Sequence, residues 1–251
     1  MNGICGIVFL GPKKIKSFQE NQLIEELKKR GSNLDKYEDS HNFSYTASHK
    51  KEKYIFSNIN YFINFSGRID NREDFIKDLK LNINISNAEL IVTAFHKMGK
   101  EIFNELIGAF AFFIFDKRRK EFFAVRDHLG MKPFYYSFKD GFFVYGSEPK
   151  FIFQISKEKK ILNNEKLFNS LLRNDENFEH TFYKEIFRLE RGKFIKSFQN
   201  KIEKFQYHKF ETPSYIEYEN EEDCFLDFNN LFSKIIAEQT ANIEKIGTAL
   251  S

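Results

Sequence analysis

AFAFFIFDKRRKEFFAVRD (Ala109–Asp127) is an apolar run, a charged turn and a second apolar run. It reads as a β-hairpin reversing at Asp116–Lys120. FYYSFKDGFFVYGSE (Phe134–Glu148) repeats the pattern, with Lys139-Asp140-Gly141 as its turn. The phenylalanines of both hairpins read as core packing and not as a cofactor or base-stacking surface. Upstream, ICGIVFL (Ile4–Leu10) is a buried strand closed by Gly11-Pro12, and Leu23, Ile24 and Leu27 mark a helix between Phe18 and Arg30 that stops at Gly31. FSYTAS (43–48) and KYIFSNINYFINFSG (53–67) are strand-rich, the second with an Asn-rich turn. NREDFIKDLK (71–80), SNAELIVTAFHKMG (86–99) and KEIFNELIG (100–108) are helices, with Ser86 and Glu89 forming a capping box and Asp70 and Asn71 capping the first of the three.

Downstream, EKLFNSLLRN (165–174) is helical, and RLERGKFIKSF (188–198) and KIEKFQYHKF (201–210) are strands. ETPSYIEYENEED (211–223) is a polar, acidic linker. EEDCFLDFNNLFSKIIAEQTAN (221–242) is an amphipathic helix, and IEKIGTALS (243–251) begins another strand. Strands, then helices, then more strands predict an α+β domain with antiparallel sheets, spanning residues 1–210 and followed by a linker and the start of a second domain over 211–251.

The 251 residues carry 39 basic and 36 acidic side chains, a net charge of +3, so no polyanion-binding signature is present and no nucleic-acid partner is expected. Two cysteines, Cys5 and Cys224, make neither a disulfide framework nor a cysteine metal site, and the six histidines lack ligand spacing; no metal is expected. No apolar stretch is long enough to span a bilayer and no signal peptide is read, which predicts a cytoplasmic protein without a membrane partner.

VRDHLGMKPFYY (Val125–Tyr136), GSEPK (Gly146–Lys150), ELIGAFAFFIFDKRRKEFFAVRD (Glu105–Asp127) and FRLERGKFI (Phe187–Ile195) occur in order and at consistent spacing. Together they resemble the asparagine-synthetase family, whose N-terminal half is a class II glutamine amidotransferase domain. The resemblance implies a four-layer αββα sandwich of the Ntn-hydrolase type. In that family the N-terminal Cys thiol attacks the glutamine side-chain amide and its own α-amine takes the proton.

Two registers fit the opening MNGICGI. The first puts Asn2 at the nucleophile position and makes Cys5 a core strand residue. The second makes Cys5 the nucleophile and requires loss of Met1 to Ile4. The resemblance further sets SGRIDN against the family's N-G-E-I-Y-N, so that Ser66 replaces an oxyanion-hole Asn, Gly67 keeps its backbone N–H, and Arg68 reverses the charge of a glutamine-binding Glu. Asn87 replaces an acid that grips the substrate ammonium, and Lys51 stands for the Arg that binds its carboxylate, without the bidentate fork. Loss of both acids removes the partners of a desolvated ammonium. The expectation is a degenerate glutamine pocket without a catalytic residue.

IEKIGTALS resembles the strand leading into the phosphate loop of the family's synthetase domain, with Ser251 as that loop's first Ser. The resemblance implies a fragment that binds no cofactor itself, from a parent using ATP and Mg and partnered by the missing synthetase domain. It leaves open a homodimer and a small-molecule or peptide substrate. His128 is expected at the surface or in a hinge, Arg126 and Asp127 as a structural ion pair, and Cys224 against the missing domain.

Overall fold

The computed structural model describes residues 2–11, 20–157, 159–174, 177–211, 214–241 and 246–247. The chain divides into two units, Met1–Lys209 and Phe210–Ser251. In the first unit the chain runs β1 (Gly3–Phe9), α1 (Glu20–Lys28), β2 (Asn33–Glu38), β3 (Asn42–Ser48), β4 (Ile55–Ser57) and β5 (Tyr61–Ile69). Helices α2 (Arg72–Leu79), α3 (Asn87–Met98) and α4 (Ile102–Glu105) follow. Next come β6 (Gly108–Asp116), β7 (Glu121–Arg126), β8 (Tyr135–Lys139), β9 (Phe142–Gly146), α5 (Pro149–Ser156), α6 (Asn164–Leu171), β10 (Phe187–Arg188), β11 (Lys193–Phe198) and β12 (Lys201–Gln206).

Two six-stranded antiparallel sheets form, ordered β10-β8-β9-β1-β3-β2 and β12-β11-β7-β6-β5-β4. Strand periodicity sorts each central strand onto two cores. On β6, Phe110, Phe112 and Ile114 pack with α2, α3 and α4, whereas Ala111, Phe113 and Phe115 face the other sheet. On β1, Ile4 and Val8 point between the sheets, and Cys5 and Ile7 pack with Leu23 and Leu27 of α1 and Phe151 and Ile152 of α5. The result is the four-layer αββα sandwich. Because a strand covered on both faces is apolar at every position, AFAFFIF is continuous and not alternating. Between the sheets Phe113 stacks on Tyr145 with centroids 4.5 Å apart, and Phe122 meets Phe143 at 4.4 Å. Each fully buried ring contributes about 1.5–3 kcal/mol.

Both hairpins turn where expected. Asp140 and Gly141 have φ of 51° and 80°, the paired positive values of a tight hairpin turn. Asp116 Oδ1 accepts the Arg118 and Arg119 amides at 2.9 and 3.0 Å. Ser86 caps α3, its hydroxyl accepting the Glu89 amide at 3.2 Å. Asp70 and Asn71 do not cap α2 with their side chains. Asp70 accepts Arg68, and Asn71 bridges to the backbone of Glu105 and Ile107. Two elements escaped the sequence reading. β2 is a polar edge strand, NLDKYE, held by its pairing with β3, and α5 begins at a Pro inside the GSEPK motif.

In the second unit, α7 (Glu221–Thr240) is capped by Asn220, which accepts the Asp223 amide at 2.9 Å. Its Phe225, Phe228, Leu231 and Phe232 are exposed, as is Cys224. The strand expected over 243–251 falls mostly on residues outside the described set. No described helix is long and apolar enough to cross a membrane.

Candidate functional site

The first residues of the chain are clamped in the middle of a sheet. Gly3 pairs with Ala47 of β3, Ile4 N–H donates to Ser147 Oγ at 3.0 Å, and the Ser147 amide returns a bond to Ile4 O at 2.8 Å. This anchoring carries Asn2 across to the second sheet. Asn2 Nδ2 donates to Phe65 O at 3.1 Å, and the Ser66 hydroxyl donates to Asn2 Oδ1 at 3.1 Å and lies 3.3 Å from Asn2 O. Beneath them Asn64, fully buried, bolts the sheets together. Its Nδ2 donates to Cys5 O, Tyr45 O and the Tyr145 hydroxyl, and its Oδ1 accepts from Thr46. Asn64 was missed from sequence because one Asn inside an aromatic strand carries no pattern.

The structure thus brings Asn2, Ser66 and Gly67 together. Gly67 has φ +132°, and a Cβ there would lie 2.0 Å from Ala109 O, so the close pairing of β5 with β6 requires glycine. Phe65 N–H donates on the β4 side to the Tyr54 carbonyl at 2.9 Å, and strand alternation turns the Gly67 N–H toward the same edge. Arg68 does not aim an unpaired charge into this space. Its guanidinium forks onto Asp70 at 2.6 and 3.3 Å and stays largely exposed.

Asn87 is buried at the start of α3, and its Nδ2 donates to Glu52 Oε1 at 3.2 Å. Lys51 is exposed. Its neighbour Glu52 is the side chain that turns inward, and it also bonds the Tyr54 hydroxyl, which burial first and Glu52 second hold well above the usual tyrosine range. Glu52 sits inside the charged run HKKEK, where no periodicity singles it out. It places a carboxylate against Asn87, whose own side chain is neutral.

Cys5 is fully buried between β3 and β9, and desolvation pushes its thiol far above the usual cysteine range. A neutral thiol sealed in a core is a poor nucleophile. Removing Met1 to Ile4 would also delete two residues of β1.

The VRDHLGMKP loop is held by two buried groups, each hydrogen-bonded to backbone. Asp127 accepts the amides of Leu129, Met131 and Lys132 at 3.1, 2.9 and 2.9 Å. Arg126 donates to the carbonyls of Lys132, Leu189 and Gly130 at 2.8, 2.6 and 2.6 Å. His128 is not a free surface residue. Its ring lies 4.2 Å from His208 and 5.3 Å from Tyr207, and Nε2 is buried without a partner. Burial, and then His208, lower its pKa. Lys132 is also held below the usual lysine range, by burial and then by Arg68. Among the described residues no cluster of three or more His, Cys, Asp or Glu could hold a metal.

Comparison with known proteins agrees with this geometry. A profile described as "Glutamine amidotransferase domain" matches residues 1–208. Asparagine synthetase [glutamine-hydrolyzing] 3 of Bacillus subtilis is 34% identical over 96 residues, covering 37% of this chain and 16% of that relative. Asparagine synthetase [glutamine-hydrolyzing] 2 of the same organism is 34% identical over 68 residues, covering 27% of this chain and 9% of the relative. The matched segments therefore span a small part of these relatives' length. The solved structure of glutamine phosphoribosylpyrophosphate amidotransferase from B. subtilis superposes with a TM-score of 0.53 at 14% identity, covering 82% of this chain and 49% of that one, a likeness of fold alone. With the sandwich, the clamped N-terminus and the profile all in agreement, the chain belongs to the glutamine amidotransferase domain family, as the N-terminal amidotransferase domain of the asparagine-synthetase type.

Proposed function

We propose that this domain belongs to an ATP-dependent amide ligase of asparagine-synthetase type whose glutaminase site has lost its nucleophile. The observation that carries the reading is the placement of Asn2. It lies in contact with Ser66 and Phe65 O at the head of β1, where a carboxamide offers neither thiol nor hydroxyl to attack an amide. Ser66 spends its proton on Asn2 and not on a developing oxyanion. The parent would activate a carboxylate with ATP and Mg as an acyl-adenylate. The attacking amine would then be free ammonia or an amine of the substrate itself, as in asparagine, β-lactam or lasso-peptide macrolactam formation. In that reading the domain acts in the cytoplasm, beside a synthetase domain, and serves it as a scaffold or docking element.

The competing reading, maturation to expose Cys5, is opposed by the burial of that thiol and by the loss of β1 residues it would entail. The test is to supply the whole protein with ATP-Mg, a panel of carboxylates and either glutamine or ammonium. The expected result is ammonia-dependent or amine-dependent ATP cleavage to AMP, without release of glutamate from glutamine. Glutamate release at a rate matching product formation overturns the reading.

A further inference from the structure

We propose that His128 and His208 form an acid-sensitive latch. It holds the last segment of the first unit, Tyr207–Lys209, against the VRDHLGMKP loop and loosens it when the His128 ring takes up a proton. The inference stands whether or not the nucleophile is lost.

The segment meets three others where β12 ends. The Tyr207 and His208 amides both donate to Gly192 O, at 2.9 and 3.1 Å, and the Gly192 amide donates to Asp127 O at 3.0 Å. The Tyr207 hydroxyl donates to Arg126 O at 2.7 Å. Gly192 has φ +63°, and a Cβ there would lie 2.7 Å from His208 O, so this close approach requires glycine. His208 Nδ1 lies 3.3 Å from Asn104 Oδ1 of α4, and its ring meets that of His128 with centroids 4.2 Å apart. Lys209, the next residue, is exposed and ends the unit, so the chain leaves it directly from this contact.

The surroundings of His128 oppose a charge on its ring. Nε2 is buried without a partner, so a proton placed there has no acceptor. Phe110 and Tyr207 turn aromatic rings to it at 6.4 and 5.3 Å, and a charge on it would face the second imidazole of His208. Asp127 favours the charge, as does a bond to the Phe103 main chain. The Asp127 carboxylate, however, already accepts the amides of Leu129, Met131 and Lys132. Burial and then His208 outweigh both, and the pKa of His128 is lowered. Once the segment lifts, His128 loses the His208 and Tyr207 rings and regains water, so acid favours the lifted form. At pH 5.5, one unit below the ordinary imidazole value of about 6.5, the lifted form gains up to about tenfold. Three freed residues add about 10 Å of reach to the chain that continues into the second unit.

The experiment follows amide hydrogen exchange of Tyr207 and His208 in the full chain at pH 7.5 and 5.5, corrected for the intrinsic exchange rate. The opening constant of both amides is expected to rise about five- to tenfold on acidification. His128→Phe keeps an aromatic ring but cannot take up a proton, and should hold protection at pH 7.5 and limit the acid change to less than twofold. In the unaltered protein, a titration of the ring chemical shifts should give His128 the same midpoint as the loss of Tyr207 protection. A change below twofold in the unaltered protein, an equal acid response in folded His128→Phe, or separate midpoints for the ring and the amide would each overturn the latch.

Discussion

Replacing Asp127 tests whether the loop of VRDHLGMKP is held by its buried carboxylate. The side chain is fully buried and accepts three backbone amides, with Oδ1 taking those of Leu129 and Met131 and Oδ2 that of Lys132. Hydrogen bonds to a charged acceptor contribute about 1.5–3 kcal/mol each. Leu129 and Met131 are themselves exposed, so their amides regain water in an alanine variant, and the simple sum is an upper bound. The Arg126 guanidinium adds to the cost, since two of its three carbonyl partners, Gly130 and Lys132, belong to the same loop. Asp127→Ala is therefore expected to cost about 3–5 kcal/mol, a large share of a typical 5–15 kcal/mol domain stability.

Asp127→Asn keeps one acceptor and turns a second into a donor facing the Lys132 amide, for a loss of about 2 kcal/mol. The chain has no Trp, so urea unfolding is followed by far-ultraviolet circular dichroism and tyrosine emission. The denaturant slope should stay constant while the midpoint falls. A midpoint change equivalent to under about 1 kcal/mol for the alanine variant would refute the reasoning, as would equal losses in the two variants.

Two further predictions concern titratable groups. With its thiol raised by burial, Cys5 should stay unreactive to an aromatic disulfide reagent in native protein at pH 8, while exposed Cys224 reacts at once. Two equally fast thiols before denaturation would contradict the buried placement. The depressed pKa of His128 means that the unfolded chain takes up its proton before the folded one does. Its contribution to stability is thus complete above the unfolded value, about 6.5, and is lost as the pH falls through the lower folded value. Asp127 and His208 face the same ring, and His128→Phe should flatten the acid limb of the stability profile without changing it above pH 7.5. An unchanged acid limb would place the sensitivity elsewhere.

The layers and hairpins were legible in the sequence because their signals are local. Unbroken apolar runs such as AFAFFIF announce strands covered on both faces, and Asp140-Gly141 announces its turn by the backbone angles those residues tolerate. The in-order matches from Glu105 to Ile195 were enough to indicate the family. Where local signals were weak, elements were lost. β2 is polar at an edge, and its place comes from the register with β3 rather than from its own pattern.

At the site the sequence alone could compare residues only position by position. It identified Asn2, Ser66, Gly67, Arg68 and Asn87 as neighbours in a family pattern, and from the loss of two acids inferred an empty grip for a cation. Only the tertiary structure could show that Arg68 is neutralised by Asp70 two residues on, and that Glu52 enters from an adjacent segment to meet Asn87. The same holds for Cys5, a plausible nucleophile by spacing that folding seals between two strands and two layers. Side-chain charge is written in the sequence, but partnership and burial are set by contacts between residues distant along the chain. Those contacts decide whether a charge is paired, buried or exposed.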